Sequence, residues 1–179
     1  MPNDEAICRL RPDIARIYPV AVLQGTELAA MYGEGRYKPL TIDEGVRRSA
    51  YMKQHFLERG ISCIRTGLQA TEDLDDASQV MAGAYTPAMG ELVDTYRYRK
   101  QLLSFLRTLP KDEAVTISYH AAKRRAFELP QPYRQDCPLE LPLSLSWREG
   151  DVPLGHVYVF QGQTAYDLDM NSHAGPTMI

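Results

Sequence analysis

Apolar residues follow two different periods along this chain. In the first half, residues 14–24 form a nearly continuous apolar run, which is typical of a strand buried on both faces. In the second half, residues 115–119, 141–147 and 157–159 alternate between apolar and polar or small side chains. Because a period of two leaves one face in water, this half predicts a small antiparallel sheet.

A strand, a long helix and a second strand make up the main unit of the first half. The strands are predicted at residues 14–24 and 61–66, and the helix between them should run to about residue 59. Short links on both sides of the helix predict two parallel strands joined by a right-handed crossover. Pro19 cannot donate a ladder hydrogen bond, so it predicts a bulge or a strand end inside the first strand.

Capping residues mark where the helices begin. Thr26 precedes a short helix, and Thr41 with Glu44 forms the T-x-x-E capping box in front of the long helix. Proline is favoured at the first helical position, so Thr86-Pro87 predicts the start of a second long helix. The chain therefore has the helices and strands of an α/β protein.

Three segments show neither period. Residues 71–78 are polar and acidic and predict a surface loop, while the proline-rich residues 129–142 predict an irregular segment. Residues 167–179 are expected to form a loose tail. The change of pattern after the first half places a domain boundary near residue 80, which gives a first domain over 1–80 and a second over 81–179.

The two strand exits are the places where this chain could hold a ligand. Ligands of open α/β sheets bind at the carboxyl ends of the strands, and parallel neighbours open on the same edge. Glycine lets the backbone approach a ligand, and Gln, Thr and Arg side chains can hydrogen-bond a polar one. The first exit offers Gln24, Gly25 and Thr26, and the second offers Arg65, Thr66, Gly67 and Gln69. Ordinary αβ turn chemistry explains the same residues, and the residues alone slightly favour that explanation over a ligand site.

Other candidate side chains are few. Arg65 follows an apolar run, so partial burial would require an anionic partner. His55 lies in a predicted helix and is expected to face solvent, whereas His120 ends a strand and is a candidate site residue. No pair among the four histidines has the spacing of a zinc motif.

Composition excludes several classes of protein. The net charge of −3 argues against nonspecific nucleic-acid binding, and no apolar run is long enough for a membrane span. The acidic N-terminus has no apolar signal region, so a cytoplasmic protein is expected. Cys8, Cys63 and Cys137 are far apart and odd in number, which favours reduced thiols over disulfides or a metal motif.

Several segments, in order and spacing, resemble the end of the catalytic barrel in radical S-adenosylmethionine (SAM) proteins. The resemblance is to the group that includes the Elongator catalytic subunit and oxygen-independent coproporphyrinogen III oxidase. It covers roughly residues 12 to 95. The matching segments are Arg16-Ile17-Tyr18-Pro19, Gly25-Thr26-x-Leu28, Gly35-x-Tyr37-x-Pro39, Ile64-Arg65-x-Gly67-Leu68-Gln69, and Gly83-Ala84-Tyr85-Thr86-Pro87 with Glu91-Leu92-Val93.

The resemblance implies a partial (β/α) barrel, of which residues 14–24 and 61–66 would be the last two strands. It also implies oxidoreductase-like radical chemistry with SAM and a [4Fe–4S] cluster in a complete family member. Gly67, Leu68 and Gln69 would then lie near the SAM adenine. The family's C-x-x-x-C-x-x-C motif is absent from this chain, so neither cluster nor catalysis is expected from it alone.

Two functions from different classes follow. The first is the C-terminal portion of a radical SAM-type iron–sulfur enzyme, which would need an N-terminal radical SAM segment or a second subunit as its partner. The second is a noncatalytic α/β binding or protein-interaction module, whose C-terminal sheet would join the βαβ unit in one mixed sheet. A third interpretation, an unrelated small enzyme using Arg65 and His120, has no visible base–nucleophile pair.

Overall fold

The computed structural model describes residues 2–69, 79–123 and 143–179 of this α/β protein. Contacts group the chain into two compact units, Met1–Asp94 and Thr95–Ile179. The domain boundary near residue 80 stays a prediction. The predicted loop at 71–78 and the whole of the predicted irregular segment at 129–142 lie outside the described residues.

Among its described residues, the first unit has three complete helices and four short strands. In chain order they are α1 (Pro2–Leu10), β1 (Ile14–Ile17), β2 (Ala21–Leu23), α2 (Glu27–Gly33), α3 (Ile42–Leu57), β3 (Ser62–Thr66) and β4 (Val80–Gly83). Helix α4 (Met89–Leu106) begins in this unit and continues into the second. Helix α1 and strand β4 had no counterpart among the elements expected from the sequence.

The predicted parallel pair is present, but it uses less of the first strand than expected. Strand β1 pairs parallel with β3, with Ile14 opposite Ser62 and Ile17 opposite Thr66. Residues 18–20 are not in a strand, which confirms the strand end expected at Pro19. The prediction was wrong for the residues beyond it, because β2 pairs antiparallel with β4 in a separate two-stranded sheet.

The predicted helix caps are confirmed. The Thr41 hydroxyl accepts from the Glu44 amide at 3.2 Å, and the Glu44 carboxylate accepts from the Thr41 amide at 2.9 Å. This reciprocal pair satisfies two donors that the first turn of α3 leaves without a helical partner. Gly60 follows the helix with a φ of 73°, which glycine adopts without strain.

Helices α1 and α3 cover one face of the parallel pair. Ile17 of β1, Phe56 of α3 and Cys8 of α1 form a buried cluster with Ile61, which immediately precedes β3. Phe56 is fully buried, and Ile17 is 5% exposed. This apolar cluster holds the two strands against the helices, since a two-stranded sheet is marginal by itself.

Helix α4 begins two residues after the predicted start. Thr86 and Pro87 lie in the preceding turn, where the Thr86 carbonyl accepts from the Met89 amide at 3.0 Å. In the described residues, no helix is long and apolar enough to span a bilayer.

The second unit contains a mixed five-stranded sheet packed on the later part of α4. Its strands are β5 (Val115–Tyr119), β6 (Leu145–Glu149), β7 (His156–Gln161), β8 (Thr164–Asp169) and β9 (Thr177–Met178), in the order β6-β5-β7-β8-β9. The prediction of an antiparallel sheet holds for three of the pairs but was wrong for β5 and β6, which are parallel. Leu102, Leu106, Val115, Ile117 and Val159 lie in its core.

The prediction of a loose tail over residues 167–179 was also wrong. Residues 164–169 form β8, and Thr177–Met178 pairs with that strand as β9. Between them, Met170 is 1% exposed, and Asn171 accepts a hydrogen bond from the Tyr98 hydroxyl at 2.6 Å. Contacts with residues distant in the sequence therefore order a segment whose own composition is that of a loop.

Candidate functional site

The first strand exit uses its polar groups to build the turn. The Thr26 hydroxyl donates to the Leu23 carbonyl at 2.7 Å and accepts from the Ala29 amide at 3.2 Å. Gly25 has a φ of 76° with open space where a side chain would be, and the Gln24 amide donates to the Gln79 carbonyl at 2.9 Å. Thr26 is thus the N-cap of α2 and Gly25 a turn glycine, which is ordinary structural chemistry.

The second exit contains one close backbone approach. Gly67 is buried with a φ of 87°, and its amide donates to the Ile17 carbonyl at 2.9 Å. A Cβ at this position would lie 2.7 Å from Met89 Cβ. Glycine is therefore required here for packing against the start of α4, since that space is taken by Met89 and is closed to a ligand.

Arg65 is more exposed than the sequence predicted. Its side chain is exposed rather than partly buried, and its Nη1 donates to the Gln69 side-chain oxygen at 2.9 Å, a neutral partner. The expectation was wrong because β3 belongs to a sheet of two strands, so its edge remains in solvent. Leu68 is half-buried and Gln69 is exposed.

The two exits do not open on one sheet edge as expected. Gln24, Gly25 and Thr26 follow β2, whereas Gly67, Leu68 and Gln69 follow β3, and these strands belong to different sheets. The edge shared with β3 is instead the end of β1, where Ile17 lies opposite Thr66. The residue that follows is Tyr18, which is 44% exposed. Sequence reasoning missed Tyr18 as an exit residue, although Pro19 directly after it signalled the strand end.

One face of the parallel pair is open. Ile14 is 57% exposed and Ile64 is 49% exposed. The exposed Arg16 lies two residues after Ile14 on β1 and pairs with Arg65, the residue after Ile64. Their neighbours Ala15, Ile17 and Cys63 belong to or pack against the buried cluster on the helix side. We call Ile14, Arg16 and Ile64 the open strand face. Parallel strands are usually covered on both faces, and exposed apolar residues on a strand face are typical of an interaction surface.

The histidines do not form a catalytic group with the predicted candidates. His55 was expected to face solvent, but its side chain is 12% exposed and its Nδ1 lies 2.7 Å from the Asp4 carboxylate. His120 Nδ1 accepts from the Ala122 amide at 3.1 Å, which is a local turn contact. A pair that the sequence did not indicate, His156 and Asp167, lies on adjacent strands at 2.8 Å.

Asp4 has the one strongly shifted carboxyl group among the described residues. Complete burial would raise its pKa, but hydrogen bonds from the amino terminus and from His55 outweigh that effect and lower the pKa to about 2. Asp4 is therefore ionised at neutral pH and anchors α1 to α3.

A metal site is not built from the described residues. No group of three or more His, Cys, Asp or Glu side chains is placed there to hold an ion. Cys8 is buried in the cluster under β1 and Cys63 is half-buried, while Cys137 lies outside the described part of the chain.

Comparison with known proteins gives matches in the first half of the chain. Residues 12–99 match the family model of the Radical_SAM C-terminal domain. Two tRNA uridine(34) acetyltransferases, from Methanocaldococcus jannaschii and Methanocaldococcus infernus, are each 32% identical over 91 residues, which is 51% of this chain. The matched part spans only 15% and 16% of those relatives. No solved structure matches the chain.

Proposed function

Residues 12–99 belong to the radical SAM C-terminal domain family, and from this premise we propose that the chain is the C-terminal portion of a radical SAM-type iron–sulfur enzyme. The resemblance identified from residues 12 to 95 is confirmed by this match. A complete family member uses SAM and a [4Fe–4S] cluster. The observation that carries the proposal is this family match together with the open strand face.

Ile14 and Ile64 are large apolar side chains left half in water on a two-stranded parallel sheet. Further parallel strands would pair with the free edges of β1 and β3 and would cover these side chains. The residues thus support a barrel that another segment completes. That segment is either part of a longer chain or a separate subunit, and it is the partner that we propose.

The chain's own cysteines do not fit a [4Fe–4S] cluster. Cys8, Cys63 and Cys137 lack the C-x-x-x-C-x-x-C spacing, and Cys8 is buried within an apolar cluster. The proposed partner segment would supply the cluster ligands, and the present chain is catalytically inactive without it. We place the complex in the cytoplasm.

We also propose that the residues after the strands lie toward the SAM site of the completed barrel. The candidates are Gln24, Gly25, Thr26, Arg65, Gly67, Leu68 and Gln69. Arg65 and Gln69 are exposed, and a hydrogen bond joins their side chains, so together they offer guanidinium and amide groups to a polar ligand. Gly67 and Thr26 contribute by shaping the backbone, because the space beside Gly67 is filled and the Thr26 hydroxyl is used for capping.

The names of the two similar proteins suggest the substrate class. Both are tRNA uridine(34) acetyltransferases, so we propose that the complete enzyme modifies a uridine in tRNA. Since the net charge of this chain is −3, most of the electrostatic attraction for RNA would come from the partner segment.

Anaerobic reconstitution tests the proposal directly. The purified chain is treated with iron, sulfide and reductant, desalted, and assayed for iron and for the absorbance of a [4Fe–4S] cluster. We expect no stoichiometric cluster. The Cys63→Ser variant is the control, because iron bound nonspecifically would be the same in both proteins. A cluster in the wild-type chain that is lost in this variant would overturn the claim that the chain lacks cluster ligands.

Calorimetric titration with SAM tests the candidate residues. The isolated chain should give no binding heat, whereas the chain combined with a cysteine-bearing radical SAM segment should bind SAM. Arg65→Ala and Gln69→Ala should weaken that binding, with Arg107→Ala as an exposed control far along the sequence. Unchanged affinity in both variants would exclude these residues from the SAM site.

A second candidate function is favoured by the structure of the second unit and by its position outside the family match. Thr95–Ile179 has its own sheet and core and lies almost entirely outside the family match. We propose as the alternative that this unit is a noncatalytic interaction module. The sequence predicted that the C-terminal strands would join the βαβ unit in one mixed sheet. That prediction was wrong, because the two form separate sheets. A monodisperse monomer that unfolds cooperatively without any partner would favour the module over a dependent fragment.

A further inference from the structure

A cleft of about 770 Å³ lies beside α1, away from the open strand face. The end of α1, the turn into β1 and the turn between α3 and β3 line it. Its residues are Glu5, Cys8, Arg9, Arg11, Pro12, Asp13, Arg59, Gly60 and Ile61. The volume is in the usual range for a small-molecule site, roughly 300–1,000 Å³.

Three arginines, Arg9, Arg11 and Arg59, line this cleft. Arg9 and Arg11 are exposed and form no ion pair or side-chain hydrogen bond with any residue that the structure describes. Arg59 donates from Nη1 to the His55 carbonyl at 3.3 Å, which fixes its position at the rim. The carboxylates of Glu5 and Asp13 also line the cleft, so the local excess is one positive charge.

The backbone around the arginines is fixed by hydrogen bonds. The Arg11 amide donates to the Cys8 carbonyl at 3.3 Å, and Arg11 has a left-handed φ of 49°, which is uncommon for a residue with a side chain. The Ser62 amide donates to the Asp13 carbonyl at 3.0 Å and ties this turn to β3. Buried Cys8 and Ile61 form the floor. The three arginines are therefore presented by a backbone that needs little reorganisation on binding.

We infer that this cleft binds a phosphate ester through Arg9, Arg11 and Arg59. A guanidinium group offers paired N–H donors in a plane that match two phosphate oxygens, and the resulting charge-assisted bonds are stronger than neutral ones. The two carboxylates would repel a diffuse polyanion, which favours a discrete phosphate positioned between the arginines. The ester could be that of a mononucleotide or of one backbone phosphate in RNA.

Phosphate binding in this cleft does not depend on the radical chemistry proposed above. A negative binding result would therefore not change the interpretation of the iron reconstitution experiment. It shares no residue with the open strand face or with the SAM-site candidates. The net charge of −3 disfavours nonspecific coating by nucleic acid but does not oppose a local site of this kind.

Binding to the full chain tests the inference with three probes: uridine, uridine monophosphate and a fluorescent twelve-nucleotide oligouridylate. The cleft variant is Arg9→Gln/Arg59→Gln, and the matched control is Arg48→Gln/Arg107→Gln, which removes the same charge from exposed positions outside the cleft. Circular dichroism verifies the fold of each. Arg11→Gln provides a second cleft variant, because it removes a guanidinium group that has no ion pair or side-chain hydrogen bond with described residues.

We expect phosphate-dependent binding that weakens about tenfold per arginine removed, hence about a hundredfold in the double cleft variant and less than threefold in the control. Binding of both phosphate probes identifies a mononucleotide site, and binding of the oligonucleotide alone identifies a strand phosphate. Equal weakening in cleft and control variants, equal affinity for uridine, or no binding of either phosphate probe would overturn the inference.

Discussion

Gly45 provides a sharp test of how the first unit packs. It lies buried inside α3, and a Cβ added there would overlap Ala84 Cβ, while Ala84 Cα and Met89 Cε would be at ordinary contact distances of 3.7 Å. Alanine should be better than glycine inside a helix by about 1 kcal/mol. Overpacking a filled site costs about 1–3 kcal/mol, and the overlap here involves a methyl that cannot rotate away. Because the gain in helix propensity offsets part of the overpacking cost, we expect Gly45→Ala to destabilise the protein by about 1 kcal/mol.

Ala84→Gly removes the overlapping methyl and completes the test. Alone it should cost about 1–2 kcal/mol, from one lost buried methyl and the added backbone freedom of glycine. In the double variant the methyl on residue 45 occupies the space vacated by residue 84. We therefore expect the double variant to be no less stable than Ala84→Gly, with a coupling energy of about 2 kcal/mol.

Urea unfolding followed by circular dichroism measures the four proteins, and hydrogen exchange of the α3 amides reports the effect locally. Should Gly45→Ala be neutral or stabilising, helix propensity rather than packing would control this site. Additive effects of the two substitutions would show that Gly45 and Ala84 are not in contact.

Three further substitutions test contacts in both units. Asp4→Asn should destabilise the protein at pH 7 by about 1–3 kcal/mol, since it removes a buried charged partner of His55. The folded-state pKa of Asp4, about 2, lies below the ordinary value of 3.8. The difference in unfolding free energy between variant and wild type should therefore persist above pH 4 and shrink as the pH falls toward 2. A constant difference across that window in urea titrations would contradict this assignment. Thr41→Ala should cost about 1 kcal/mol through the lost cap of α3, with Thr41→Ser close to wild type; equal loss in both would argue against the hydroxyl. Tyr98→Phe removes the 2.6 Å hydrogen bond to Asn171 and should accelerate proteolysis at residues 171–176 without changing exchange in α3; unchanged proteolysis would show that this bond does not hold the segment.

Local signals in the sequence predicted the elements whose stabilising contacts are also local. The Thr41–Glu44 capping box needs residues only three apart, and Thr26 caps α2 over the same distance. The parallel pairing of β1 and β3 followed from an intervening helix with short links. These rules involve a few neighbouring residues, so the sequence alone expresses them.

Contacts between distant residues account for what the sequence missed. Strand β4 has four residues and ends in Gly83, so it carries almost no strand signal, and it forms because β2 pairs with it from nearly sixty positions earlier. Asp4 and His55 are 51 positions apart, and helical periodicity around His55 cannot reveal a partner on another helix. The candidate site was mispredicted for the same reason. The strand ends at Pro19, so the exit at residues 24–26 follows a strand of a different sheet.

The half-exposed Ile14 and Ile64 on the open strand face indicate which surface a completing segment would bury. Complete burial of such a side chain stabilises a protein by about 1.5–3 kcal/mol, and Ile14 and Ile64 are 57% and 49% exposed. Covering the remaining surface of both would therefore contribute about 2–3 kcal/mol, which is a large part of the roughly 5–15 kcal/mol that separates folded from unfolded domains. Among the described strands, β1 and β3 each pair on one side only. A segment that excludes water from the other edge must therefore supply backbone partners of its own, which an added strand in register does. A segment with apolar side chains facing Ile14 and Ile64 and an extended backbone meets both needs, and a helix meets only the first. The architecture of the first unit thus favours strand addition as its mode of assembly, which is what the proposed barrel would require.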